Sequence, residues 1–300
     1  MKAKEFIGII PPLLSSYDKD GNIYEKGIRE IIRFILPHVD GLYPIGTYGC
    51  GPLMSPDERK RVLEIILDEV HGRIPVVAHV GAADTRTTVE LAKHAKAAGA
   101  SGVGAIAPYY SPNLSEEALY RHFKGLLDAV NEEEFPVFIY NNKNYSQNII
   151  TPKLLKRLAD DGLRGIKDSS FDLVSFYNFQ DAVREYPDFN VIVGTEAIFC
   201  GAFDAGATGC VCGLGNIYPE LLEEMYEAHL AGEHEKAIEL QRRVIQLRNI
   251  TKLAPSVPVM HAILQMRGVD AGISRSPYIE ISDELKVKVR EALTGQGLLQ

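Results

Sequence analysis

The sequence predicts an α/β protein: a (β/α)8 TIM barrel with a C-terminal helical extension. Three observations carry this expectation. Apolar, strand-like runs recur at 6–14, 41–46, 74–81, 102–107, 136–140, 163–166, 191–194 and 209–213. They are continuously apolar rather than alternating, which suits strands covered on both faces of a parallel sheet. Segments with helical periodicity lie between them, and beyond residue 231 the helical pattern continues without strands. Eight strands alternating with eight helices is the barrel arrangement, and 300 residues is an ordinary length for one.

The first helical segment spans 25–36. Ser55-Pro56-Asp57-Glu58 opens the second with a cap, a proline at the first helical position and acids in the first turn. Asp84 opens a third, which ends at Ala97-Ala98-Gly99, and Ser115-Glu116-Glu117 opens a fourth. Thr151-Pro152 opens a fifth, 171–186 is a sixth, 196–206 a short seventh and 218–231 the eighth. The segments 233–253, 257–267 and 282–293 then read as helices with no strand between them. Residues 1–231 are therefore expected to form the barrel and carry the active site, with 232–300 a helical extension packed on it.

Hydrophobic residues make up 46% of the chain and charged ones 24%, enough apolar area for a large core in a soluble globular protein. The net charge is −8 with the two signs interspersed, which argues against a nucleic-acid partner. The N-terminal residues show no signal-peptide pattern, and no run is apolar enough for a membrane span, so a cytoplasmic protein is expected. Cys50, Cys200, Cys210 and Cys212 read as reduced, buried thiols. The histidines fall on different elements without metal-ligand spacing, so no metal is expected.

The chemistry is expected where the strands end, because barrel active sites lie at the carboxyl ends of the strands. Lys167 appears where an aliphatic strand should stop, among apolar walls. Desolvation disfavours an ammonium there and yields a neutral amine able to attack a carbonyl. The second run is followed by Gly46-Thr47-Tyr48-Gly49-Cys50-Gly51, whose glycines free backbone N–H groups for an anion. The fourth run leads to Pro108-Tyr109-Tyr110 and the fifth to Tyr140-Asn141-Asn142-Lys143. After the seventh comes Glu196, which can face substrate or sit in the first turn of the next helix. A lysine, two phenols and a backbone anion site at one mouth are what carbonyl chemistry through a Schiff base requires.

On Gly46-Thr47-Tyr48-Gly49, Pro108-Tyr109-Tyr110, Phe138-Ile139-Tyr140-Asn141 and Gly165-Ile166-Lys167-Asp168, the chain resembles the dihydrodipicolinate synthase / N-acetylneuraminate lyase family of pyruvate-dependent class I aldolases. The resemblance covers almost the whole chain. It implies a carbon–carbon lyase in which Lys167 forms an imine with pyruvate, or with the 2-oxo end of a longer substrate, and Tyr140 passes protons beside it. It implies that Thr47 and the Tyr48 amide hold the pyruvyl carboxylate and that Val211 lines the pocket. Tyr110 matches a tyrosine that completes a proton relay with a neighbouring subunit. Homotetramers without a metal or organic cofactor are the family's habit.

Two departures bear on substrate. The family's glycine-rich turn usually reads Gly-(Ser/Thr)-Thr-Gly-Glu, whereas Tyr48 and Cys50 stand here in place of the second hydroxyl residue and the glutamate. The synthase branch commonly has Tyr-Asn-x-Pro-x-Arg after its fifth strand, whereas this chain has no proline there and Tyr145 at the arginine position. Losing that carboxylate partner counts against aspartate semialdehyde as acceptor. The polar stretch 140–147 suits a polyhydroxy chain, with Lys143 a partner for an acid or phosphate, so a 2-keto-3-deoxy sugar acid is the expected substrate, cleaved to pyruvate and an aldehyde. Sialic acid cleavage, dihydrodipicolinate synthesis and dehydration of a deoxy-keto acid are the competing reactions within the family. A barrel that binds ligand without turnover is the rival outside it.

Overall fold

The computed structural model describes residues 6–299; the N-terminal stretch 1–5, read above as carrying no signal peptide, lies outside the described residues. One sheet of seven parallel strands organises the chain: β1 (Gly8–Ile10), β2 (Val77–His79), β3 (Gly102–Ile106), β4 (Val137–Asn141), β5 (Gly165–Asp168), β6 (Asn190–Val193) and β7 (Gly209–Val211). Their order is β1-β7-β6-β5-β4-β3-β2, so each strand from β2 onward pairs with its successor and the chain's first strand pairs with its last.

The expected strand at 41–46 is not a strand. Pro44 has no N–H to give a ladder, and Ile45 takes a left-handed φ of 63°, which a β-branched residue rarely adopts. The segment still ties both sheet edges together. The Asp40 and Tyr43 amides donate to the Ile9 and Pro11 carbonyls beside β1, while the Leu42 amide donates to Pro75 and its carbonyl accepts from Val77 of β2. The expected strand at 6–14 shortens to three residues because Pro11-Pro12 ends the ladder.

Side-chain alternation gives the sheet two apolar faces. Ile10, Tyr43, Val77, Phe138, Ile192 and Val211 form one buried cluster, though several of their strands are not neighbours in the sheet. Side chains from distant strands meet only if the sheet curls around them, so the fold is TIM-barrel-like. The outer face packs in a separate and much larger apolar layer against the helices.

The helices follow their start signals. They are α1 (Glu25–Ile35), α2 (Pro56–Val70), α3 (Thr85–Ala97), α4 (Glu116–Val130), α5 (Lys143–Ser146), α6 (Pro152–Asp160), α7 (Leu173–Ala182), α8 (Phe199–Asp204) and α9 (Pro219–Leu230). Ser55 and Glu58 form a complete capping box at α2, and Asp84, Ser115 and Thr151 cap α3, α4 and α6. The four-residue α5 sits inside the polar stretch 140–147. Helices α10 (His234–Ile250), α11 (Ser256–Met266) and α12 (Asp283–Gly295) follow, with no strand among them in the described residues. Helix α10 packs along α9. Its Gln241 also fixes the backbone after β6, donating to the Glu196 carbonyl at 2.9 Å and accepting from the Cys200 amide at 3.2 Å. Among the described residues no helix is long and apolar enough to cross a membrane.

Candidate active site

The register of the sheet builds the site. Phe138 pairs with Gly165 and Tyr140 with Lys167 on adjacent strands β4 and β5. Phe138 points inward, so Tyr140 and Lys167, two residues further along each strand, point inward one layer higher. Above the buried apolar cluster lies a cavity of ≈ 310 Å³, whose walls include Thr47, Tyr48, Tyr140, Lys167, Val211 and Glu196.

Lys167 is 6% exposed and Tyr140 is 4% exposed. The Lys167 Nζ stands 4.0 Å from the centre of the Tyr140 ring and 4.8 Å from that of Tyr43. Burial lowers the lysine pKa, and its charge and hydrogen-bond interactions with Tyr140 only partly oppose this. Burial alone would raise the Tyr140 phenol. The Lys167 charge and hydrogen bonds from Ser169, Asn142 and Thr47 outweigh it, and the net shift is downward. Asn142 Nδ2 donates to the phenolic oxygen at 2.8 Å, a bond that favours the phenolate. An amine made easier to deprotonate thus faces a phenol made easier to ionise, a pair suited to exchanging a proton.

Asp168, the next residue, takes no part in this pair. Its buried carboxylate accepts from Asn141 Nδ2 at 2.7 Å and from the Ser170 hydroxyl at 2.6 Å, locking the end of β5 to β4.

The turn 46–51 supplies the opposite wall. The Thr47 side chain bonds Tyr140. Among the described residues, neither the Thr47 nor the Tyr48 amide donates to a protein acceptor, while Cys50 and Gly51 amides close the turn onto Thr47 and Gly46. Thr47 and Tyr48 share the cavity with Lys167, and free N–H groups there have the chemistry that the glycines suggested for an anion. The turn has no slack, since a Cβ on Gly51 would overlap the Ile45 carbonyl oxygen. Gly51→Ala is therefore expected to destabilise the protein by about 1–3 kcal/mol, read as a lowered urea midpoint. Gly213 similarly makes room for Tyr48, whose ring would lie 2.7 Å from an added Cβ.

The structure does not bring every expected residue to this cavity. Tyr110 is 88% exposed and does not line it. Lys143 lines a different cavity with Ile149, Thr151 and Asp172. Tyr145, at the position of the synthase arginine, does reach the wall. Cys50 is buried and free, its thiol pushed up to about 11 by burial, so it is no nucleophile at neutral pH. It lines a second, largely apolar cavity of ≈ 330 Å³ with His79, Tyr109 and Tyr278, separated from the first by Thr47, Tyr140 and Tyr145.

Sequence reasoning missed the residues that helix α10 and its following turn supply. Arg248, Thr251 and Lys252 line the cavity beside Glu196, which is buried, with its pKa raised by that burial. On a helical pattern Arg248 reads as one more surface charge. Only the fold brings that end of α10 over the strand ends. Tyr43, which presents its ring to Lys167, was also missed.

Comparison with known proteins agrees with this architecture over the whole chain. A sequence model of the Dihydrodipicolinate synthetase family matches residues 5–296. An uncharacterized DapA-like lyase of Halobacterium salinarum is 34% identical over 294 residues, covering 97% of this chain and 94% of that protein. The 4-hydroxy-tetrahydrodipicolinate synthase of Bradyrhizobium diazoefficiens is 32% identical over 303 residues, covering all of both. Among solved structures, YagE of E. coli K12, a prophage protein of the dihydrodipicolinic acid synthase family crystallised with pyruvate, superposes with a TM-score of 0.92 at 28% identity, over 98% of this chain and 99% of its own. The chain belongs to the dihydrodipicolinate synthetase family, whose members are lyases.

Proposed function

We propose that the protein is a class I aldolase that makes or breaks a carbon–carbon bond between pyruvate and an aldehyde through an imine on Lys167. The observation that carries this reading is the buried Lys167–Tyr140 pair, held side by side by strand register in one cavity. The Lys167 amine attacks the ketone of a 2-oxo acid, and the carbinolamine loses water to give an iminium. Tyr140 supplies and recovers the protons of those steps. For cleavage, the phenolate takes the proton of the C4 hydroxyl as the C3–C4 bond breaks. Its electrons flow into the iminium, the aldehyde departs, and the enamine is protonated and hydrolysed to pyruvate and free lysine. The free amides of Thr47 and Tyr48 hold the 2-oxo acid's carboxylate throughout. No metal or organic cofactor is needed, because the iminium is the electron sink.

The substrate class we favour is a 2-keto-3-deoxy sugar acid. Asn142, Asn144, Tyr145 and Thr195 give the cavity groups that bind hydroxyls, and no arginine stands where the synthases keep one. In this division of labour residues 1–231 hold the chemistry and 232–300 complete the wall.

Treating the protein with pyruvate and borohydride, then mapping peptides by mass spectrometry, is expected to leave a reduced pyruvyl adduct on the Lys167 peptide. Bound pyruvate with an unmodified Lys167 would falsify the imine. Assaying 2-oxo acids for pyruvate release then separates the substrate classes, and turnover confined to pyruvate plus aspartate semialdehyde would remove the sugar-acid reading.

A further inference from the structure

The charges lining the cavity do not balance around an imine. Among the described residues Lys167, Arg248 and Lys252 are its cationic residues, and Glu196 is its one acid. Once a 2-oxo acid is bound, its own carboxylate answers the iminium, leaving Arg248 and Lys252 facing Glu196 alone. Glu196 engages them weakly. Its Oε1 lies 3.8 Å from Arg248 Nε, too far for a hydrogen bond, and it accepts from the Gly213 amide. The Arg248 side chain is 25% exposed, with its guanidinium 5.3 Å from the Phe171 ring at the rim. Among the described residues Lys252 forms no ion pair, and its ammonium donates only to Ser256 Oγ at 3.0 Å. Burial, and then repulsion from Arg248, lower its pKa. Two neighbouring cations with one loosely held counter-ion, open to a cleft, form an arrangement that an incoming anion relieves.

We propose that Arg248 and Lys252 bind an anionic group, a carboxylate or phosphate, at the far end of the substrate, the part that leaves as the aldehyde. The proposal rests on the imine reading and narrows it, since the aldehyde product is itself acidic. It also gives the function expected of Lys143, and of the absent arginine at position 145, to the end of α10 and the turn after it.

Two matched pairs test this. Borohydride trapping on Lys167 compares 2-oxoadipate with 2-oxohexanoate, which differ only in the distal carboxylate. Condensation with pyruvate compares glyceraldehyde 3-phosphate with glyceraldehyde. In the unmodified protein at least one acidic member is expected to be preferred roughly tenfold to a hundredfold, and the pair that separates tells carboxylate from phosphate. In Arg248→Gln and Lys252→Met the preference falls toward one, through half-saturation rather than maximal rate, and Arg248→Lys restores part of it. Every variant is first required to trap pyruvate, which separates a lost fold or imine from a lost anion site. If pyruvate is trapped but neither pair separates, or the preference survives both substitutions, the anion site is overturned and the imine stands. If the unmodified protein traps no pyruvate, both readings fall.

Discussion

Replacing Lys167 with methionine is expected to abolish turnover, by on the order of 10⁴–10⁶-fold, and to leave no borohydride adduct anywhere in the chain. Methionine nearly conserves the volume of the stem against Tyr43 and Tyr140, so the fold should survive, as near-ultraviolet circular dichroism can verify. The substitution also has a thermodynamic signature. The folded-state pKa of Lys167 lies below its unfolded value of 10.5, chiefly through burial. The unfolded chain therefore binds more protons between those two values, and the buried lysine destabilises the native state. That cost is fully present below the folded pKa and vanishes as the pH climbs to the unfolded one. Lys167→Met should thus gain stability relative to the unmodified protein at neutral pH, and the gain should shrink in denaturant titrations run toward pH 10.5. A pH-independent difference would mean that the amine is not held against its charge.

Tyr140→Phe is the second large effect. The ring keeps its place against His79 and Tyr43, so packing changes little. What disappears is the hydroxyl that accepts from Asn142 and bonds Thr47. Turnover is expected to fall about 10²–10⁴-fold, the usual worth of a positioned proton carrier. In the proposed mechanism imine formation and bond cleavage both use this proton, so pre-steady-state trapping of pyruvate is expected to slow along with kcat, while pyruvate binding persists. Near-normal rates would reassign the phenol to packing.

The barrel was legible in the sequence because its signals are local. Continuous apolar runs, Ser55-Pro56 and the caps at Asp84, Ser115 and Thr151 each name an element without reference to the rest of the chain. The segment at 41–46 misled because apolarity records burial and not hydrogen bonding, and Pro44 with a left-handed Ile45 prevents a ladder in a stretch that is nonetheless buried. In the candidate site, strand register places Lys167 and Tyr140 side by side in one cavity, and they stood out in the sequence because they lie at strand ends, where such barrels work. Lys143 looked convincing for the same reason, yet the α5 turn carries it to another cavity. Arg248 and Lys252 gave no local sign. Their place depends on how α10 lies against α9 and the backbone near Glu196, a tertiary fact that helical periodicity does not contain.

The pairing of Tyr140 with Lys167 across β4 and β5 has an evolutionary corollary. The separation of the proposed nucleophile and proton carrier is set by the spacing of neighbouring strands, a quantity that side-chain replacement elsewhere can hardly disturb. Arg248 and Lys252 hang instead from the end of α10 and the turn after it, outside the sheet, so replacing them leaves that separation untouched. A lineage could therefore exchange the residues of that wall through many intermediates without a step that disturbs the Tyr140–Lys167 pair.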